Sequence, residues 1–151
     1  MLYLPRGSRE WSERFWHRPL DAVPMIYGSG DINSLAPGIE TGVLFEGDVP
    51  PQVNGFRIEH LMIGTGIIST TRGGSGGLLI LVYNRTIRNA GASFKVPQFY
   101  QFPAFAGVGA ATIYPVAWLI GPADHWQATL RNDASIDTVL HSWVGLDGWY
   151  F

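Results

Sequence analysis

Proline and glycine are scattered along the whole of this chain, and no long helix can be threaded between them. The 151 residues hold 10 prolines and 19 glycines. Proline removes an amide donor and clashes with the preceding helical turn, and glycine weakens a helix interior through its extra backbone freedom. Short strands divided by turns tolerate this punctuation. The predicted fold class is all-β: an antiparallel, jelly-roll-like sandwich of seven or eight strands in one domain.

The first 38 residues differ from the rest. Ser8 can cap a short helix over Arg9–Trp16, with Glu10 in its first turn. Trp11 and Phe15 stand four apart and share a face. Pro19, Pro24 and Pro37 then interrupt any regular element. The expectation is an extended N-terminal arm over 1–38 and a β-sandwich domain over 39–151. The arm lies either on its own domain or on a neighbouring subunit, and its removal through residue 20 is expected to leave the sandwich folded but unable to assemble.

Within 39–151, strands are expected at Ile39–Phe45, Phe56–Ile63, Leu78–Tyr83, Phe94–Tyr100, Thr112–Ile120, His125–Arg131 and Ser135–Val144. Phe56, Ile58 and His60 fall on one side of their strand, Arg57 and Glu59 on the other. A bulge is expected at Gly64 or Gly66, and a hairpin tip over Thr70–Gly77. Asn84–Ala92 reads as a turn and Gln101–Ala111 as a loop. Leu78–Tyr83 is continuously apolar and suits a central strand. Pro97 and Pro115 demote their strands to sheet edges. Trp126, Ala128 and Leu130 alternate with polar neighbours and point inward.

Charge is scarce. Only 15% of residues are charged, against about 25% in ordinary soluble domains, while 13% are aromatic. So apolar a surface suggests cover by other chains. A net charge of −2 draws no nucleic acid. No apolar run reaches the 18 residues of a membrane helix, and the N-terminus lacks an export signal.

No motif announces catalysis. The sequence has no cysteine, and His17, His60, His125 and His141 form no HxH or HExxH pair. Gly64-Thr65-Gly66 lacks the third glycine of a dinucleotide loop, and Gly73–Gly77 lacks the lysine of a phosphate loop. Asp124 beside His125 would point to opposite faces of a strand. No catalytic residue, metal or cofactor is therefore expected. The residues assigned to partner binding are Arg9, Trp11, Arg14, Phe15, Trp16, Trp149, Tyr150 and Phe151, since arginine and aromatics dominate interface energetics. The C-terminal aromatics could instead close the end of the sandwich, or line a sugar-binding groove.

From Asn54 to Val144 the order of features resembles β-sandwich virion proteins of tailed bacteriophages. It opens at Gly55–Ile58, passes Tyr83-Asn84-Arg85, Gln101-Phe102-Pro103 and Gly121-Pro122-Ala123-Asp124, and closes at Leu140-His141-Ser142-Trp143. Ser142 stands where that family commonly has glycine. The resemblance implies a non-enzymatic head-decoration, neck or tail component. Such a protein would form a homo-oligomer and contact major capsid, neck or tail subunits of a virion assembled in the host cytoplasm. The alternatives are a carbohydrate-binding module and, further off, a small jelly-roll metalloenzyme.

Overall fold

The computed structural model describes residues 3–68, 76–89, 92–105, 112–133 and 138–151. These form one helix, α1 (Arg9–Trp16), and nine strands: β1 (Val23–Gly28), β2 (Ile32–Leu35), β3 (Phe45–Asp48), β4 (Phe56–Ile68), β5 (Gly76–Asn89), β6 (Ala92–Phe105), β7 (Thr112–Ile120), β8 (His125–Asn132) and β9 (Val139–Tyr150). Sheet A runs β1-β9-β4-β7, with β2 also paired to β9. Sheet B runs β3-β8-β5-β6.

The pairings are nested. β1 and β2 lie along successive parts of β9, so they act as one strand broken at Ser29–Asp31. Counted that way, the first strand pairs with the last, β3 with β8, β4 with β7, and β5 with β6. A long hairpin folded over on itself gives this pattern, and it defines an eight-stranded jelly roll. The all-β sandwich expected from the sequence is therefore what forms.

Proline marks the edges. Pro24 lies in β1, Pro97 and Pro103 in β6 and Pro115 in β7, and all three strands are sheet edges. The interior strands β4, β5, β8 and β9 contain none. A proline cannot complete a ladder on both sides, so it is confined to edges, where it also blunts pairing with other chains. The edge positions expected for the Pro97 and Pro115 strands hold, as does the central place of Leu78–Tyr83 within β5.

Between the sheets lies a core of Phe56, Ile58, Leu61, Ile120, Trp126 and Leu146, with further residues around them. Trp126, Ala128 and Leu130 are buried on β8, as their alternation requires. The Trp126 ring occupies the centre, with Tyr27, Phe45 and Phe56 rings around it.

Several expectations are corrected. Val23–Gly28 and Ile32–Leu35 belong to the sandwich, so the boundary at residue 38 falls too late; their partner β9 lies more than a hundred residues away, beyond local pattern. Ile39–Phe45 is not a regular strand: it follows β8 through the Glu40–Arg131 bridge and single backbone bonds, Asn132 amide to Ile39 carbonyl, Thr41 amide to Leu130 carbonyl and Leu44 amide to Ala128 carbonyl, and regular pairing starts at Phe45. β4 and β5 lie in different sheets, so no hairpin joins them, and residues 69–75 lie outside the described set. β5 continues through Tyr83-Asn84-Arg85 to Asn89, and β6 runs from Ala92 to Phe105. β9 extends to Tyr150, while 134–137 lie outside the described residues. The bulge lies not at the glycines but between Ile58 and His60, where Glu59 has no partner on β9. His60 is thereby turned to the outside with Arg57.

Candidate interaction surface

Alternation along sheet A assigns each residue to one of two faces. Phe56, Ile58, Leu61 and Ile63 of β4, Val144, Leu146 and Tyr150 of β9, and Tyr114, Val116 and Trp118 of β7 pack into the core. Their neighbours therefore face out. This outer face has two halves.

The first half is covered by α1. Ser8 accepts from the Trp11 amide and starts the helix, as its position predicts. Trp11 and Phe15 stack 5.3 Å apart, and Phe151 meets Trp11 edge-on at 5.4 Å. Leu4, Trp149 and Phe151 complete the cluster, with Leu119 and Ala22 against it.

Arg57 joins the helix to the sheet. Only 6% exposed, its guanidinium carbon lies 4.8 Å from the Phe15 ring centre, 5.5 Å from that of Trp149 and 5.8 Å from that of Trp16. Its Nε donates to the Phe15 carbonyl at 3.2 Å. Its Nη1 donates to the Val116 carbonyl at 2.7 Å and to that of Ile58. The Trp149 indole donates to the Arg14 carbonyl at 3.3 Å. Two carbonyls that a helix end leaves without intrahelical partners are thus satisfied by side chains of the sheet. A cation at this end also suits the helix dipole. Burial pushes the Arg57 pKa down, and the Glu59 carboxylate draws it partly back. Arg14 holds both oxygens of Asp21 at 2.9 and 3.1 Å, tying the helix to the turn before β1. That hydrogen-bonded pair lowers the Asp21 pKa and raises that of Arg14.

Of the residues assigned to partner binding, Trp11, Phe15, Trp149, Tyr150 and Phe151 are buried within their own chain. The arm lies on its own domain, and the C-terminal aromatics close the sandwich and form no open sugar groove. Arg14 is engaged with Asp21. Arg9, paired with Glu13, and Trp16 remain largely exposed. Arg57 was not among the sequence candidates: strand alternation placed it on a solvent face, and only the distant aromatics reveal that the face is sealed there.

The second half is uncovered. Ile26 of β1 is 75% exposed and Ile113 of β7 is 63% exposed. Pro24, Pro115 and Ala117 are exposed beside them. The ladder Gly28–Gly145–Met62–Ile113 crosses the sheet from edge to edge. Trp143, 38% exposed, lies on Gly64, where a Cβ would overlap the indole. Across the middle of this apolar surface stand Glu59, His60 and Asp147. The Asp147 Oδ1 lies 2.9 Å from His60 Nδ1 and accepts from the His60 amide at 3.1 Å.

A separate cleft of about 420 Å³ lies between the N-terminal segment and the Gly121–Asp124 turn, lined by Tyr3, Arg6, Tyr83, Tyr100 and Asp124 among others. Tyr83 stacks on Tyr100, and Tyr100 on Trp118 at 4.8 Å.

Comparison with known proteins names no family. No family model matches the sequence, and no curated protein matches it. Solved particles of infectious bursal disease virus share 12% identity with the chain. For the Gt strain the TM-score is 0.44, over 82% of this chain and 33% of that one. For the T13 particle it is 0.45, over 82% and 31%. The chain thus spans about a third of the length of those proteins. Among the described residues no helix is long and apolar enough to cross a membrane.

Proposed function

We propose that this protein is a non-enzymatic structural subunit of a virion, working by contact with copies of itself and with other virion proteins. One observation carries the assembly half of that reading: the uncovered part of sheet A exposes apolar side chains at both edges, around the Glu59–His60–Asp147 cluster. The outer face of an antiparallel sheet is normally polar when water covers it. Here β7 exposes Ile113, Pro115 and Ala117 in succession, and β1 exposes Pro24 and Ile26. Exposed apolar patches of this kind mark interaction sites. Prolines on the edges favour contact through faces and not through added strands. The virion half rests on the order of features from Asn54 to Val144, and the jelly-roll architecture supports it, being shared by capsid and lectin domains. Finer placement as a phage head-decoration, neck or tail component follows the same resemblance.

Sedimentation of the purified protein, alone and with candidate virion proteins, tests the reading. Concentration-dependent association that is lost in Ile113→Glu, with an unchanged melting temperature, supports it. A single-copy species at high concentration that also binds no virion protein refutes it.

The cleft beside Tyr3 and Arg6 favours a second reading, a carbohydrate-binding module. Its volume falls in the ordinary range for small-ligand pockets. Specific signals on a glycan array, abolished by Tyr3→Ala, would establish it.

A further inference from the structure

We infer that Glu59, His60 and Asp147 form a binding site for a divalent ion of the zinc class. The bulge in β4 makes the site. It turns two consecutive residues, Glu59 and His60, towards Asp147 on β9. One ligand atom from each lies within 4.8 Å of the other two. The His60 Nδ1 is 2.9 Å from Asp147 Oδ1 and 3.8 Å from Glu59 Oε2. Ligands placed tetrahedrally at 2.0–2.1 Å from zinc stand about 3.3–3.4 Å apart. These two separations fall on either side of that value and the third, between the two carboxylates, is at most 4.8 Å, so side-chain rotations close the site. One imidazole nitrogen with two carboxylate oxygens is a donor set zinc accepts.

A second histidine shows what a simple ion pair looks like. His125 also has two carboxylates near it, but Asp48 takes Nδ1 at 2.8 Å and Glu46 takes Nε2 at 3.3 Å. Each nitrogen has its own partner, and no point lies between all three. At His60 both acids converge on the same nitrogen. His141 has one carboxylate, Asp31, at 2.9 Å. The His60 amide, donating to Asp147 Oδ1, orients that oxygen from behind, as outer-shell donors do at metal sites. All three side chains are about a third to a half exposed, so an ion can enter. Three protein ligands leave the fourth position to water. The bound ion would cancel the two negative charges in the middle of the apolar face. The site does not depend on the assembly reading, because uptake is measured on the single chain.

The test is calorimetric titration of the purified, chelator-washed protein with zinc chloride. One equivalent per chain is expected, weakened at least tenfold in His60→Ala and in Glu59→Gln, and unchanged in His125→Ala. The Glu59→Gln change alters only the charge of a partly exposed group, so it keeps the test open if His60→Ala fails to fold. Cobalt, as a probe of geometry, should show the intense visible bands of a four-coordinate ion. Zinc uptake that survives both substitutions, or no uptake at millimolar zinc, overturns the inference.

Discussion

The β3–β8 part of sheet B and the open half of sheet A turn different surfaces outward. On sheet B, strands β3 and β8 present polar pairs: Gln127 donates to Glu46 at 2.9 Å, His125 sits 2.8 Å from Asp48, and Thr129 donates to Glu40. Glu46, Asp48, His125 and Gln127 thus find partners across the β3–β8 ladder. On sheet A the outward side chains are Ile26, Met62, Ile113, Trp143 and Trp149, with Arg57 sealed beneath a helix and the partly exposed Glu59, His60 and Asp147 clustered among them. The β3–β8 part of sheet B is finished as a water-facing surface, while Phe99 on β6 is 64% exposed. Sheet A is finished at one end by α1 and left open at the other. Exposure, and not secondary structure, is what separates scaffold from the proposed contact surface in this molecule.

That difference can be broken by substitution. The largest effect is expected at Trp149, on the outer face but 2% exposed. Trp149→Ala should lose about 3–5 kcal/mol, as for a core aromatic. Trp143→Ala, on the same strand and face but only partly covered, should lose about 1 kcal/mol, the usual size for a point mutation. Urea unfolding of the two variants measures the gap; equal losses would mean that α1 contributes no cover. Next come the open half and its counterpart. Ile26→Glu and Ile113→Glu should abolish association while changing stability by less than about 0.5 kcal/mol. Thr129→Lys, on sheet B, should leave association intact. Sedimentation velocity separates these outcomes.

A smaller effect concerns pH. Burial, and then the hydrogen bond with Tyr27, raise the pKa of Tyr150 beyond the usual phenol range. A phenol held neutral by folding contributes stability that is complete below about pH 10, where the unfolded group titrates, and is lost as pH rises further. Tyr150→Phe should therefore flatten the alkaline limb of a stability–pH curve. The smallest effect lies at Asp21. Its lowered pKa contributes stability that is present above about pH 4, the unfolded value, and is lost as pH falls. Asp21→Asn should loosen α1 slightly at neutral pH and remove that acid dependence, read as hydrogen-exchange protection of the helix.

Much of the frame was legible because it is written in local chemistry. Ser8 starts the helix, and prolines 97 and 115 mark edges, for reasons contained in those residues and their neighbours. The sequence places β7 to the residue and at an edge, yet nothing in its alternate apolar positions, 113, 115 and 117, tells that they form an open face. The bulge at Glu59 was invisible because nothing in Glu-His signals a slip; it arises from pairing with β7 and β9 together. β1 and β2 are too short and too interrupted to read as strands without β9 beside them. Arg57 looks like any surface arginine until Phe15, Trp16 and Trp149 arrive from opposite ends of the chain.

The nested ladder also sets the order in which the chain can fold. β5 and β6 meet across the shortest loop, from Asn89 to Ala92, whereas β1 reaches β9 across more than a hundred intervening residues. Loop closure costs more entropy as the loop lengthens, and topologies dominated by distant contacts fold in milliseconds to seconds. The innermost hairpin is the natural nucleus, and each outer pair shortens the effective loop for the next. The β1–β9 seam and the helix above it close last, so a chain caught halfway would carry a formed sheet B and a sheet A still lacking its rim.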